Sequence, residues 1–149
     1  MNVREGMSTE LLAVGVDHTL REAARRMASR QVGAAVVLDP DGEGPGIITE
    51  RDILRSLADG EDPDRELVRD HLTREAVVGQ AGWPIERAAE VMLSGGFRHL
   101  VVVDGGGAPE GMLSIRDVVR SWLRERGAAH AGVDGQAGAG RARPGTTSA

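Results

Sequence analysis

The apolar positions of this chain form short continuous runs that alternate with stripes of helical spacing. The first stripe follows the spacing i, i+3, i+4, i+7 and comprises Leu20, Ala23, Ala24 and Met27. This spacing places its members on one face of a helix. The run Ala34–Leu38 ends in turn residues and is typical of a strand buried on both faces. Strands and helices are therefore expected to alternate along the chain.

The same pattern occurs twice, at a separation of 65 residues that holds without a gap from Val3 to about Arg124. The second helical stripe comprises Ile85, Ala88, Ala89 and Met92, and the second buried run is Leu100–Val103. A constant separation without insertions indicates two copies of one supersecondary unit. Each unit reads as strand, helix, strand, strand and helix, with helix faces too small to be stable alone.

Turn residues and composition set the boundaries of the two units. The predicted strands are Leu11–Val16, Ala34–Leu38 and Gly46–Ile48 in the first copy and Ala76–Ala81, Leu100–Val103 and Gly111–Leu113 in the second. The resulting division is a first repeat at 1–59, an acidic linker at 60–67 and a second repeat at 68–126. Residues 127–149 are rich in Gly and Ala without periodicity. This composition predicts a flexible tail, because such a segment buries too little apolar surface to offset its ordering entropy.

One turn in each copy carries the candidate chemistry. Thr49 and Asp52 lie where a Gly-led strand runs into a helix, and Ser114 and Asp117 occupy the matching places. A carboxylate only accepts hydrogen bonds, which suits the two donors of a vicinal diol, and free amides at a helix start suit a phosphate. The same spacing is also that of a capping box, which is a purely structural feature. The two interpretations are compatible, since a cap can exchange its bond for a ligand.

The segments GIITERD at 46–52 and GMLSIRD at 111–117, each after an apolar strand and an Asp-Gly turn, resemble the signature of a tandem CBS-domain module. The resemblance covers about the first 125 residues, and the constant separation of the two copies makes it specific. It implies an α/β (α+β) fold of two pseudo-twofold β-α-β-β-α repeats. The small sheets of the repeats would pack together, with the helices outside.

The resemblance also implies a ligand. In CBS pairs, clefts between the repeats can receive adenosine-containing molecules such as AMP, ADP, ATP or S-adenosylmethionine. Carried over to this chain, Asp52 and Asp117 would bind ribose hydroxyls, with Thr49 and Ser114 beside the ribose or phosphate. Aliphatic side chains of the neighbouring strands would enclose the adenine. The candidate walls are Ile47, Ile48, Met112 and Leu113.

A second stretch, RHLVVVD at 98–104, resembles the family's Arg-His-Leu-Pro-Val-Val-Asp sequence, with a valine in place of the proline. The first copy has Gly33 and Ala34 where the second has Arg98 and His99. This difference favours Arg98 and His99 as phosphate contacts that serve one cleft rather than both. The second copy is therefore the favoured location of an occupied site.

Other polar residues have simpler interpretations. Arg51 and Arg116 follow the two motifs and are further candidates for phosphate contact, although a solvated or ion-paired surface arginine is the plainer expectation. The four histidines show no metal-ligand spacing such as a pair at i, i+4 with a nearby carboxylate, and no metal site is expected. They are His18, His71, His99 and His130.

Composition narrows the function further. Without Cys there is no disulfide, thiolate or Cys-based metal site, and a net charge of -5 offers no general attraction to nucleic acid. No apolar run is long enough to span a bilayer and no signal peptide is evident, so a cytoplasmic chain without membrane association is expected. No nucleophile–base pair or acid–base constellation can be assembled from these residues, which argues against an enzyme and leaves no catalytic residue to name.

These observations predict a stand-alone regulatory module. An adenosine-containing ligand, acting as a regulator and not as a required cofactor, would close a cleft and change how an unidentified partner protein binds. Apolar outer helix faces and the habit of the family predict a homodimer, in which Trp122 is an interface or core anchor. The alternative is a ligand-free structural or protein-interaction module whose Thr/Ser-x-x-Asp motifs are helix caps only.

Overall fold

Two three-stranded sheets, one from each repeat, form the centre of the molecule. The computed structural model describes residues 1–137. The sheets have the orders β1 (Ala13–Gly15), β2 (Ala34–Leu38), β3 (Gly46–Thr49) and β4 (Val78–Gln80), β5 (His99–Val103), β6 (Pro109–Ser114). In both sheets the first strand pairs with the second in parallel, and the second pairs with the third antiparallel. The predicted α/β fold of two equivalent repeats is confirmed.

The helices follow the same repeat. Their bounds are α1 (Val3–Gly6), α2 (Leu20–Arg30), α3 (Glu50–Ala58), α4 (Ile85–Gly95) and α5 (Ile115–Ala137), with a 3₁₀ turn at Val68–Asp70. The apolar stripes predicted on α2 and α4 are the faces that these helices bury against their own sheets. Within residues 1–137, no helix is both long and apolar enough to cross a membrane.

A third core joins the two sheets face to face. It contains Ala34, Val36 and Ile47 from the first sheet and Val101 and Val103 from the second. Successive strand residues point to opposite faces, so the intervening residues of β2 and β5 pack against the helices instead. The two central strands are therefore buried on both faces, as their continuous apolar runs predict, except at the exposed end of β2.

The N-terminal segment of each repeat packs on the other repeat. Val3, on α1, is fully buried in the helix–sheet core of the second repeat, beside Ile85 and Leu113. Val68, in the 3₁₀ turn, is fully buried in the core of the first repeat, beside Leu20. The two sequence repeats, 1–59 and 68–126, are therefore not identical with the two helix–sheet cores, because each core includes a residue from the start of the other repeat.

Backbone hydrogen bonds extend this exchange to the third strand of each sheet. Ser8 and Met112 exchange two bonds of 2.9 Å, and Thr73 and Ile47 exchange bonds of 2.9 and 3.0 Å. Ser8 and Thr73 belong to two short segments, residues 7–12 and 72–77, which we call the crossing segments. Each crossing segment lies along the strand that ends in the other repeat's motif.

The crossing segments explain why a glycine leads each motif strand. A Cβ at Gly46 would lie 2.7 Å from Leu72 Cδ1 and 3.3 Å from the Thr73 carbonyl oxygen. A Cβ at Gly111 would lie 2.6 Å from Met7 Sδ and 3.1 Å from the Ser8 carbonyl oxygen. The ends of Leu72 and Met7 could move aside, but the two carbonyl oxygens belong to the backbone of the crossing segments, so glycine allows the closest approach of that backbone.

The final helix extends further than composition suggests. α5 continues to Ala137, whereas a flexible tail is predicted from residue 127. Alanine is the strongest helix former and continuing an existing helix adds one hydrogen bond per ordered residue, so this Ala-rich stretch can extend a helix that tertiary packing has already nucleated. The rest of the predicted tail, residues 138–149, lies outside the described residues.

Replacing Val3 with Ala tests whether α1 belongs to the second repeat's core. The substitution removes two buried methyl groups and leaves a cavity, so the free energy of unfolding in urea should fall by about 2 kcal/mol. Val77, which is 53% exposed, is the matched control, and Val77→Ala should change stability by less than about 0.5 kcal/mol. Equal effects of the two substitutions would contradict the packing described.

Candidate functional site

Both Thr/Ser-x-x-Asp motifs form complete helix caps. In the first, Asp52 Oδ2 accepts hydrogen bonds from Thr49 N at 2.8 Å and Thr49 Oγ1 at 3.0 Å, and Asp52 N donates to Thr49 Oγ1 at 3.4 Å. In the second, Asp117 Oδ2 accepts from Ser114 N at 2.8 Å, and Asp117 N donates to Ser114 Oγ at 3.1 Å. The capping role considered from the sequence is therefore present at both motifs.

The second carboxylate oxygen distinguishes the two motifs. Asp117 Oδ1 accepts a hydrogen bond from Arg120 Nη1 at 3.1 Å. Asp52 Oδ1 accepts none from any residue in the range 1–131. Each cap uses only one oxygen, and only Asp52 keeps the other available to a ligand without breaking an ion pair.

Each motif lies at the edge of a cleft formed by both repeats. The Thr49 cleft has a volume of about 720 Å³ and contains Thr49, Asp52, Ile47 and the crossing-segment residues Thr73, Ala76 and Val77. The Ser114 cleft has a volume of about 560 Å³ and contains Ser114, Asp117, Met112 and the crossing-segment residues Ser8, Leu11 and Leu12. The exchange of segments between repeats therefore supplies one wall of each cleft.

Only two of the four predicted adenine walls face a cleft. Ile47 and Met112 do, whereas Ile48 and Leu113 are fully buried in the two helix–sheet cores. The prediction for Ile48 and Leu113 is wrong because neighbouring strand residues point to opposite faces. Other apolar residues, which the motifs did not indicate, line the clefts in their place. They are Ala76, Val77 and Phe97 in the Thr49 cleft and Leu11, Leu12 and Val32 in the Ser114 cleft.

The missed residues carry a recognisable signal. Leu11, Leu12 and Val32 precede Ala76, Val77 and Phe97 by the same 65 residues that separate the motifs. Equivalent positions in the two repeats thus line equivalent clefts, but only the exchanged packing of the segments reveals which positions these are.

All four cationic candidates border a cleft. Arg51 lines the Thr49 cleft, where its Nη1 donates to the Gly96 carbonyl oxygen at 3.2 Å, and Arg116 lines the Ser114 cleft. Arg98 and His99 line both clefts. Their presence in the second repeat therefore does not assign them to the second motif, contrary to the expectation from the sequence.

The wall shared by the clefts contains Glu50, Arg98 and His99. Partial burial lowers the pKa of His99 below its ordinary value of 6.5, although the charges of Glu50 and Asp117 act in the opposite direction. The neighbouring Arg98 adds to the lowering. The folded chain therefore favours the neutral imidazole, which offers a ligand one donor and one acceptor.

The fold brings together one group of metal-ligand type that residue spacing did not indicate. His71 Nε2 lies 2.9 Å from Glu66 Oε2 and 3.9 Å from Glu61 Oε2. The shorter distance is that of a hydrogen bond between imidazole and carboxylate. This hydrogen bond ties the linker to the end of the 3₁₀ turn.

Comparison with known proteins agrees with this architecture. The family model described as the CBS domain matches residues 2–59 and again residues 68–124. The chain belongs to the CBS domain family. Both motifs and both clefts lie within the matched ranges, and CBS pairs are generally regulatory rather than catalytic.

Similar proteins occur in archaea and bacteria. An uncharacterized 17.7 kDa protein of Acidianus ambivalens is 34% identical over 78% of this chain and 70% of its own length. The CBS domain-containing protein YhcV of Bacillus subtilis is 34% identical over 69% of this chain and 73% of its own length. A relative in Methanocaldococcus jannaschii matches over 37% of its own length, so the CBS pair also occurs within longer proteins.

A solved structure provides a direct comparison. A CBS domain protein from Pyrobaculum aerophilum, complexed with AMP, is 32% identical and superimposes with a TM-score of 0.71. The superposition covers 78% of this chain and 89% of the other. The CBS-pair fold predicted from the repeated motif is therefore confirmed.

The lowered pKa of His99 predicts a pH dependence of stability. Below about pH 6.5 the unfolded chain binds more protons at this position than the folded chain does, so the free energy of unfolding should fall as the pH drops from 7.5 to 5.5. His99→Gln should remove this contribution and flatten the slope measured by thermal unfolding. The control His130→Gln, at an exposed position of α5, should retain the wild-type slope. If stability depends on pH with the same slope in all three proteins, His99 is not the source of the pH dependence.

Proposed function

We propose that this CBS pair is a regulatory module that binds an adenosine-containing ligand, such as AMP, ADP, ATP or S-adenosylmethionine, and that the Thr49 cleft is its principal site. The observation that carries the proposal is the Asp52 carboxylate. Its Oδ2 is held by the amide of Thr49 at 2.8 Å, while Oδ1 has no hydrogen-bond partner among residues 1–131. An oriented carboxylate with one open acceptor suits the hydroxyls of a ribose.

The remainder of the Thr49 cleft suits the other parts of such a ligand. Ile47, Ala76 and Val77 offer an aliphatic surface to an adenine ring, and Phe97 adds an aromatic face that can stack on it. Arg55 and Arg98 bring cationic groups that can bind phosphate. The similarity to the AMP-bound Pyrobaculum protein supports the same class of ligand.

The charged residues around the two clefts favour the Thr49 cleft over the Ser114 cleft. Arg98 lines both clefts and does not distinguish them. The Ser114 cleft contains Glu10, and its motif carboxylate is already paired with Arg120. A phosphate-bearing ligand would therefore meet less competition and less repulsion in the Thr49 cleft.

Because residues of both repeats line each cleft, a ligand there would touch both sides of the third core. If the repeats can adopt two relative positions, the ligand shifts the equilibrium between them only as far as it binds one position more tightly than the other. A partner protein would respond to the changed surface.

The alternative is a ligand-free interaction module in which the motifs act only as caps, and the caps of both motifs are compatible with it.

Asp52→Ala and Asp117→Ala form a matched pair for testing the site. Each removes a capping carboxylate held by the same 2.8 Å bond, so each should cost about 1 kcal/mol of stability. Binding is measured by calorimetry with AMP, ATP and S-adenosylmethionine. Asp52→Ala should raise the dissociation constant of the tightest binding event at least about tenfold, because the ribose loses a charged acceptor, whereas Asp117→Ala should not. If the wild type shows no heat of binding and no change in melting temperature at millimolar ligand, the ligand proposal is refuted and the interaction-module alternative is favoured.

We also propose that the module is a homodimer, which would allow a change in the clefts to reach a second subunit. Large apolar side chains are exposed on the two helices that follow the motifs. They are Leu54 and Leu57 on α3 and Val119, Trp122 and Leu123 on α5, with exposures between 42% and 65%. Exposed apolar patches of this kind mark interaction sites.

Trp122→Glu tests this interface. A carboxylate in an apolar contact between subunits would be buried without a partner, so sedimentation velocity at micromolar concentration should show a dimer for the wild type and a monomer for the variant. Leu93, which is 74% exposed on α4, serves as the control position, and Leu93→Glu should remain dimeric. A monomeric wild-type protein would eliminate the proposal.

A further inference from the structure

Arg98 has an unusual position relative to the twofold repeat. An exact repeat would place an arginine immediately before the central strand of each sheet, but the first copy has Gly33 there. The single guanidinium lines both clefts, and it forms no hydrogen bond or ion pair with residues 1–131. One uncommitted cation therefore lies where two sites could use it.

The surroundings of Gly33 disfavour a side chain at this position. A Cβ on Gly33 would lie 2.9 Å from Glu50 Oε1 and 3.1 Å from His99 Cε1. A counterpart of Arg98 would have to displace the ends of these two side chains. The shared wall thus presents the carboxylate of Glu50 and the imidazole of His99, with Arg98 as its cationic group.

We propose that the two clefts are coupled through Arg98, so that a phosphate bound in the Thr49 cleft makes the Ser114 cleft selective for uncharged adenosine ligands. The inference rests on the proposed function. A side chain that binds a phosphate on one side of the wall is not available to a phosphate on the other side. A second nucleotide would then face the first phosphate, together with the carboxylates of Glu10 and Glu50.

The other arginines do not replace Arg98 in the Ser114 cleft. Arg120 is paired with Asp117 at 3.1 Å, and the charge of Arg116 is outnumbered by the carboxylates of Glu10 and Glu50 in the same cleft. Like charges close to a partly desolvated wall repel more strongly than they do in water. Adenosine carries no phosphate and avoids this repulsion, so its affinity for the second cleft is independent of the charge in the first.

Calorimetric titrations with AMP and, separately, with adenosine test the coupling. For the wild type we expect two AMP binding events whose dissociation constants differ by at least about tenfold, within the usual range of coupling between sites. The two adenosine events should lie closer together than the two AMP events. In Arg98→Ala the first AMP event should weaken at least about tenfold and approach the second, with adenosine binding unchanged.

The matched control is Arg65→Ala, at a linker position whose side chain is 89% exposed and lies outside both clefts; it should behave as the wild type does. Two equal AMP events, or AMP binding that is insensitive to Arg98→Ala, would overturn the coupling while leaving the proposed function intact. A single event with both ligands would also overturn it, because the second cleft would then be closed for a reason other than charge. No binding of either ligand would instead refute the proposed function.

Discussion

The face-to-face packing of the two small sheets is the contact on which the rest of the molecule depends. Ala34, Val36 and Ile47 meet Val101 and Val103 there, and neither sheet has another way to cover that face. A three-stranded sheet with one helical layer leaves half of its apolar surface in water. Joining two such units buries both exposed faces at once, and it creates the two clefts beside the contact.

The exchange of N-terminal segments makes the contact reciprocal. Val3 completes the core of the second repeat and Val68 that of the first, so neither repeat has a complete core by itself. The crossing segments also run beside Gly46 and Gly111, which places apolar residues of one repeat next to the motif of the other. A ligand in either cleft would therefore contact both repeats, which is the structural requirement for sensing their relative position.

The motif carboxylates show how one residue type can serve stability and recognition together. One oxygen holds the start of a helix, and the cap does not use the other oxygen. Asp52 and Asp117 share the first arrangement but differ in the second. Arg120 pairs with Asp117, whereas the equivalent Arg55 forms no such pair with Asp52. The clefts differ through this ion pair and through the departure from the repeat at Gly33 and Arg98.

The sequence by itself determined the repeat, the order of strands and helices and the caps, because helical spacing, strand runs and capping bonds act over only a few residues. Tertiary structure decided which faces those elements present. Ile47 and Ile48 are equally apolar, so only the packing shows that Ile47 faces a cleft and Ile48 a core. The exchange of segments depends on contacts between residues far apart in the chain, such as Val3 and Leu113. The same long-range packing places Arg98 between the clefts, a position that residue spacing along one repeat does not encode.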